Sequence, residues 1–478
     1  MYTFSSKLKT FSLILMLIGV LGIGYGFLAA PKTIEDVEKI LASQEHGSHH
    51  PNAVHDSKEN NTLEDKVNNE LILVNHDSLV SNDSLKVLST PLHNASKEKY
   101  PSQEQLNAEH EEHIEHVFHQ LQNKPWAALY VACIFFLLIS LGVLAFYAIQ
   151  QVAQAGWSPV LFRVMQGISA YLPVGSVLLF VFFILCGLHF NHLFPWLDPN
   201  VVANDKLIQN KAGYLNFPFW IIRAFIFLLG WNAYGYFSRK NCLAQDESND
   251  NVYFKKNFNI SAMFLVFFIV TESIMSWDWI MSIDPHWFST LFGWYVFASF
   301  LVSGITVISL VTLYLKSKGY LEHVNTSHIH DLAKYMFGFS IFWTYLWFSQ
   351  FMLIWYANIP EEVTYFITRI EQYNLPFFGA VVMNFVFPIL ILMNTDFKRI
   401  SWVLVMAGIV ILLGHYLDFF LMIMPSSVGD QWFIGVSEIG SVFFFLGLFI
   451  YVVFNALTKA PLLPKRNPYI EESKHFHY

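Results

Sequence analysis

Seven ionisable side chains stand in stretches of sequence otherwise too apolar to welcome charge: His189, Arg223, Glu272, Asp278, His415, Asp418 and Glu438. A charge inside hydrocarbon is costly, so each such residue points to a polar pathway, an internal ion pair or a ligand. Carboxylates, an imidazole and a guanidinium within reach of one another can pass a proton by hydrogen-bonded hand-off or meet the polar head of a quinone. His415 and Asp418 are three residues apart and share one helix face. Arg223 is suited to compensate Glu272 or Asp418. The bland alternative is structural: an Arg–carboxylate pair can lock helices together, and an Arg near a helix end can snorkel. A second, sparser set comprises Asp331, Lys334 and Asn384. Asp331 and Lys334 can pair with each other across one helical turn.

The elements that position these residues follow from composition. Of 478 residues, 54% are hydrophobic and 13% charged, against the quarter usual in soluble domains. Ten segments reach the ~20 apolar residues that a spanning helix needs. They are Phe11–Ala30, Trp126–Ile149, Tyr171–His189, Phe217–Phe237, Phe258–Ser276, Ser289–Leu315, Ala333–Tyr356, Leu375–Met393, Trp402–Met424 and Ile434–Phe454. The expected fold class is an all-α integral membrane protein. The first segment is longer than a signal-peptide core, and Pro31 makes a poor cleavage site, so it is expected to be a retained anchor. Its Gly22-x-x-x-Gly26 predicts helix–helix contact. The same glycines are no nucleotide fingerprint, because no βαβ pattern surrounds them.

Lys and Arg crowd alternate loops. Lys7, Lys9, Arg163, Arg239, Lys240, Lys255, Lys256, Lys316, Lys318, Lys334, Lys398, Arg399 and the tail fall on one side, against Lys206, Lys211 and Arg369 in the short loops of the other. By the positive-inside rule both termini are expected on the cytoplasmic side of the membrane. All seven ionisable residues then fall in the outer half, with Asp331, Lys334 and Asn384 towards the inner side. Arg223 lies about 9 Å from the outer end of its helix at 1.5 Å per residue.

The chain divides into 1–30, an anchor; 31–124, a polar, acidic, His-rich extracytoplasmic insertion with an extended or disordered middle; 125–257, the first part of one helical bundle; 258–288, its last helix and a Trp/Asp-rich turn; 289–424, a second bundle; and 425–478, the last helix and cytoplasmic tail. The insertion holds ten of the 19 His. His110, His113, His116 and His119 recur every three residues, and on a helix neighbours could share a metal. No Cys or Asp completes a tetrahedral set, so a solvated helix is the favoured reading. Only three Cys occur, widely spaced, so the chain has no motif for an iron–sulfur cluster or c-type haem. His189 and His415 offer at most one axial pair, too few for the usual two-haem cytochrome. No basic domain points to nucleic acid. A solute transporter remains an alternative. Such folds use paired broken helices, and only Pro388, one turn after Asn384, looks like a mid-helix kink.

Two strings are distinctive. One is Trp277-Asp278-Trp279-Ile280-Met281-Ser282-Ile283-Asp284-Pro285-His286-Trp287-Phe288-Ser289-Thr290-Leu291-Phe292-Gly293. Its Trp are expected at the membrane–water interface, and a turn so polar needs burial against protein or a polar cavity. The other runs from Phe342-Trp343-Thr344-Tyr345 through Phe348-Ser349-Gln350-Phe351 to Asn358-Ile359-Pro360-Glu361-Glu362. Both resemble the NrfD-like membrane subunits of alternative complex III, the bacterial quinol:cytochrome c oxidoreductase. The N-terminal pattern Phe4-Ser5-x-Lys7-Leu8-Lys9 through Pro31-Lys32-Thr33-Ile34 is most like the second of its two such subunits. The His-rich insertion lies outside the resemblance. The resemblance implies two four-helix bundles, spans 2–5 and 6–9, flanked by spans 1 and 10. It implies no cofactor in this chain, quinone contact as an open question, and haem c and iron–sulfur clusters on partners. Those partners would be a sister NrfD-like subunit, multihaem cytochrome c subunits, an iron–sulfur subunit and in some cases a terminal oxidase. The role implied is scaffold plus proton path, with no catalytic centre of its own. A purely structural anchor is the competing function.

Overall fold

The computed structural model describes residues 2–47 and 103–477. The central part of the insertion, 48–102, lies outside the described residues. The chain divides into two compact units, Met1–Lys32 with Val117–Tyr478, and Thr33–His116. Within the smaller unit, helix Ile34–Gly47 starts with acidic Glu35 and Asp36, which suit the positive end of a helix dipole, and Asp36 accepts a hydrogen bond from the Thr33 N–H at 3.2 Å. The backbone of residues 110–119 is helical throughout, in keeping with the helical reading of the His repeat.

This is an all-α, multi-pass membrane protein: ten helices are long and apolar enough to cross a bilayer, and no strand occurs among the described residues. They are α1 (Ser6–Ala29), α2 (Gln103–Val152, spanning from Ile114), α3 (Leu172–Gly187, led in by Phe162–Ser169), α4 (Phe217–Gln245), α5 (Val252–Trp279), α6 (Phe292–Ser317), α7 (Thr326–Ala357), α8 (Asn374–Leu392), α9 (Ser401–Val428) and α10 (Val436–Leu457). Several ends are set by local chemistry. Asn216 caps α4 by accepting from the Phe219 N–H at 3.0 Å, with Pro218 in the first turn. Asn325 caps α7, and Asn358 closes it in the left-handed region at φ 48°. In α8, Pro388 has no N–H to donate, and the helix runs through a π-turn at Val382–Val386 just before it.

Among the described residues, loop contacts group at the two ends of the helices. Thr3 meets Tyr320, Arg163 meets Asp246, Lys465 meets Asp246, and Asn325 meets Phe476. At the other ends of the helices, Asn123 meets His192, Asp205 meets His286, Trp287 meets Glu362, and Tyr373 meets Gly429. The first set lies on the face that holds both chain ends, here the termini face. The second lies on the opposite face.

Spans 2–5 and 6–9 form two groups. In the first, Phe183 packs on Trp220 at 4.5 Å between ring centroids, Trp231 donates to Thr271 at 3.0 Å, and the Tyr130 hydroxyl donates to the Trp279 carbonyl at 2.7 Å. In the second, Trp343 on α7 donates to Asp418 on α9 at 2.8 Å, and Trp347 packs on Phe377 of α8. The groups meet where α2 crosses α6. A Cβ on Gly142 would stand 2.6 Å from the Phe300 carbonyl, and one on Gly304 would stand 2.9 Å from the Val143 nitrogen. Two glycines thus let the backbones touch, the usual device where apolar lipid supplies no hydrophobic drive. The spanning windows of α2 and α6 are accordingly 94% and 89% buried. Helices α1 and α10 pair with each other beside these bundles. A Cβ on Gly22 would lie 2.8 Å from the Gly440 Cα, the contact expected of the Gly22-x-x-x-Gly26 spacing.

Candidate functional site

The seven ionisable residues do not form one cluster. They resolve into separate arrangements, and one of them lies outside the spans. His189 is exposed beyond the end of α3, at φ 59°, because the helix stops at Gly187. It therefore faces away from the bundles, whereas His415 is fully buried in α9.

In the first bundle Arg223 compensates neither Glu272 nor Asp418. It pairs with Asp278, Nε to Oδ2 at 2.6 Å and Nη2 to Oδ1 at 3.0 Å. Its third nitrogen donates to the Tyr214 carbonyl at 3.2 Å, and the guanidinium lies between the Tyr214 and Phe219 rings at 4.0 and 4.3 Å. The fork matches both carboxylate oxygens, the strong form of such a pair. Asp278 is wholly buried in the last turn of α5, and its carbonyl accepts from Trp220 and Ser282. This closed assembly ties the α3–α4 loop to α4 and α5. Glu272, two turns earlier on α5, is held by hydroxyls of its own helix, Ser273 at 3.2 Å and Ser276 at 3.3 Å. Among the described residues no hydrogen bond joins it to Arg223 or to Asp418.

The second bundle holds the richer site. Asp418 receives the Tyr295 hydroxyl on Oδ1, and Ser299 and Trp343 Nε1 on Oδ2, both at 2.8 Å. The same Ser299 oxygen lies 3.0 Å from His415 Nδ1. With Ser299 donating to Asp418, the imidazole donates from Nδ1, and its Nε2 is bare and unpartnered. The serine is thus a rotatable link between a carboxylate and an imidazole. All five residues are buried, Ser299, Trp343 and His415 completely.

Arg369 completes this site, although its sequence position reads as an outer-loop charge. It sits on the short helix Pro360–Glu371 between α7 and α8 and is only 3% exposed. Its Nε donates to the Leu421 carbonyl at 3.0 Å and Nη1 to the Tyr365 carbonyl at 2.7 Å, while Nη2 has no partner. Arg369, Asp418, Tyr295 and Gln350 line one cavity of about 10 Å³, room for roughly one water. The Gln350 amide, with neither atom hydrogen-bonded, adds a second donor and acceptor there. An unpaired guanidinium nitrogen, a carboxylate and an amide around such a space can order water and relay a proton. The cue to Arg369 lay in its place beside the Phe348–Glu362 string, but only the fold turns it inward.

The Trp/Asp-rich turn buttresses that site. The Trp287 ring stacks on Tyr365 at 4.1 Å, and Tyr365 in turn carries the Arg369 guanidinium at 3.3 Å. Trp279 and Trp287 are therefore packed inside protein, at 0% and 4% exposure, instead of half wet at an interface. The turn's polar groups are satisfied by neighbouring loops: Lys211 donates to the Pro285 carbonyl at 2.5 Å, and His286 meets Asp205 at 2.6 Å. Asp205 is held below the ordinary carboxylate range, chiefly by the Ile208 N–H and then by His286.

Asn384, expected towards the inner side, neighbours the second-bundle site. It lies in the π-turn of α8, fully buried, with its amide against Gly414 beside His415 and neither amide atom partnered. It belongs to the level of the second-bundle site. Asp331 and Lys334 form their own i, i+3 pair at 3.1 Å near the termini-face end of α7.

The termini-face half is also richer than the sequence suggests. In the first bundle the Tyr147 hydroxyl is surrounded by Gln151, Gln166, Ser238 and Asn257, at 2.9 to 3.2 Å. A phenol oxygen cannot accept four strong bonds at once, so the three amides and the Ser238 hydroxyl compete for it. Tyr234 and Ser261 meet at 2.7 Å, and Arg163 pairs with Asp246 at 2.6 Å on the membrane face below. Tyr147, its four partners, Tyr234 and Ser261 are all neutral, so none of them stands out by charge.

Among the described residues no three His, Cys, Asp or Glu come together as a metal site. No protein-family model matches the sequence, and no curated protein matches it.

Proposed function

We propose that this chain is a membrane subunit of a respiratory quinol:cytochrome c oxidoreductase, NrfD-like in type, and that it carries a proton path through its second bundle. It would lie in a bacterial inner membrane with both termini cytoplasmic, and would have no redox centre of its own. Haem c and iron–sulfur clusters would reside on partner subunits, beside a sister NrfD-like chain and, in some assemblies, a terminal oxidase. The assignment to such a complex rests on the two distinctive strings and on the Lys/Arg bias towards the termini face.

The observation that carries the proton reading is the Asp418–Ser299–His415 relay beside the buried Arg369 and its cavity. A hydroxyl that bonds carboxylate and imidazole together can exchange a proton between them with one rotation. Arg369 would tune the charge of Asp418, and Asn384 and Gln350 would extend the path on either side. The Tyr147 amide cluster is the natural counterpart towards the cytoplasm. A structural-anchor role is favoured for one region only, the closed Arg223–Asp278 pair.

The test is purification from native membranes in lipid nanodiscs, with a haem spectrum and mass spectrometry of co-purifying chains. Haem c absorbance with cytochrome and iron–sulfur partners is expected. A colourless, solitary protein would overturn the assignment. Within the assembled complex, unchanged turnover and pH dependence in the triple variant Glu272→Gln, Asp418→Asn, His415→Ala would remove the proton path and leave a scaffold.

A further inference from the structure

Two grooves open between spans towards the hydrocarbon. One, of about 650 Å³ between α2, α6, α8, α9 and α10, holds Tyr416 and Glu438, whose Oε2 caps α10 by accepting from the Gly435 N–H at 2.9 Å. Its walls are otherwise apolar, and nothing in them selects an occupant. The other, of about 460 Å³, lies between α4 and α5 and runs in from the termini face. Its volume is within the range of small-molecule sites. Two helical stripes face each other across it, from Gly230 to Asn241 on α4 and from Phe267 to Lys256 on α5. At 1.5 Å per residue the groove is about 16 Å long.

This second groove is polar at one end and apolar along the rest. Lys256, Asn241 and Asn259 gather at the termini-face end. Deeper in, Tyr234 stacks on Phe264 at 4.0 Å to make a buried floor, and exposed Phe237 and Met263 stand at the rim. The inner end is closed where Phe267 packs against Gly230, a Cβ on which would stand 2.4 Å from the ring. No carboxylate lines the groove. Asp246 and Asp250, on the connecting turn, are engaged elsewhere, by Arg163 at 2.6 Å and by Ser248 at 2.6 Å. Among the described residues Lys256 forms no ion pair, its Nζ lying 5.2 Å from the Tyr253 ring centroid, and neither asparagine amide has a hydrogen-bond partner. A cation without a counter-charge, beside free amide donors at the mouth of an apolar groove, matches a ligand with an anionic head and a hydrocarbon tail.

We infer that this groove holds an anionic membrane phospholipid of the phosphatidylglycerol type, its phosphate on Lys256 and the two amides and an acyl chain along the apolar floor. The ammonium meets the phosphate charge directly, and each amide NH2 can donate to a phosphate or ester oxygen. A phosphatidylcholine fits less well, because it brings a second cation to a site with no carboxylate to receive it. An uncharged lipid leaves Lys256 without a counter-charge. Exposed Lys240 and Lys255 flank the mouth without lining the groove. The site needs only a membrane-spanning chain and does not depend on the respiratory reading above.

The experiment uses the full chain, in whatever assembly it purifies, in phosphatidylcholine nanodiscs. The probe is phosphatidylglycerol with a photoreactive diazirine in its acyl chain, and labelled peptides are mapped by mass spectrometry. Label is expected on peptides spanning 230–241 or 256–267, displaced by unlabelled phosphatidylglycerol and not by added phosphatidylcholine. It should fall about fivefold in Lys256→Gln and stay within about twofold of the parent in Lys255→Gln, which removes the same charge from the same helical turn outside the groove. Ala233→Phe, which fills the groove from its wall, should abolish labelling while the thermal midpoint confirms folding; the two lysine variants carry the test if it does not fold. Label elsewhere, equal loss in Lys255→Gln and Lys256→Gln, equal displacement by phosphatidylcholine, or stronger displacement by oleate would overturn the inference. A colourless, partnerless preparation that labels as expected would remove the respiratory assignment and leave this site standing. A haem-bearing complex labelled elsewhere would remove this site alone.

Discussion

Asp278 and Asp418 are both buried carboxylates near the same end of their bundles, and the protein uses them in opposite ways. Asp278 meets a bidentate Arg223 whose remaining nitrogen donates to the Tyr214 carbonyl and whose guanidinium lies against the Tyr214 and Phe219 rings. Asp418 meets three neutral donors, a histidine one hydroxyl away, and an arginine that shares a cavity with it and keeps one nitrogen unpaired. A fully matched ion pair spends its polar capacity on holding helices together. A carboxylate held by neutral donors beside a water-sized space keeps capacity in reserve, and only that arrangement can hand a proton on.

The contrast can be broken most forcefully at Arg223. Arg223→Gln strands a buried carboxylate and is expected to cost about 3–5 kcal/mol, read as a collapse of folded yield and thermal midpoint in nanodiscs. Arg223→Met with Asp278→Leu removes both charges and should restore most of that stability. If the single variant is as stable as the parent, the pair is not the lock inferred here.

Asp418→Asn should give the reverse pattern. On the proposed function, quinol-driven proton release by the assembled complex is expected to slow about 100-fold, some 2.7 kcal/mol of barrier, while the midpoint moves far less than for Arg223→Gln. Equal loss of stability in both would erase the distinction between the sites. Ser299→Ala sharpens it further. The carboxylate and imidazole both remain but lose their shared hydroxyl, and turnover should fall about tenfold, ~1.4 kcal/mol. An unaltered rate would exclude Ser299 as the link.

The smallest effect belongs to the exposed pair that fastens the Trp/Asp-rich turn. Asp205 titrates below its ordinary 3.8 because its charged form accepts the Ile208 N–H and then His286. Its contribution is therefore present above that value and fades as the pH falls through the depressed folded-state value. Thermal midpoints of the parent and Asp205→Ala should differ slightly at pH 7 and converge towards pH 3. A gap that widens on acidification would contradict this.

Much of the frame was legible in the chain. Runs of ~20 apolar residues mark the spans, because no shorter helix crosses the hydrocarbon. Gly22 and Gly26 announced a close helix contact, and α1 meets α10 there. The pairing of Asp331 with Lys334 was also readable, since both sit on one helix one turn apart. The site itself was only half legible. His415 and Asp418 stand out as a polar pair in an apolar helix, but their partners Tyr295, Ser299, Trp343 and Gln350 are ordinary residues of ordinary spans. The inward turn of Arg369 and the exposure of His189 were hidden for one reason: hydropathy locates a residue along the chain and says nothing of the direction its side chain takes. A short helix tucks Arg369 inward, and the stop at Gly187 leaves His189 outside.

By itself the sequence determined that this is a ten-span helical membrane protein, which spans exist, and which of them carry ionisable groups. Those are consequences of local apolar length and of the cost of charge in hydrocarbon, both properties of a continuous segment. The tertiary structure alone decided that Arg223 takes Asp278, that Asp418 takes Tyr295, Ser299 and Trp343, and that Glu438 and Tyr416 share one cleft. These pairings join residues 55 to 123 positions apart or depend on how five helices lean together. Which helix faces meet is set by side-chain packing across the whole bundle, and no local pattern encodes that.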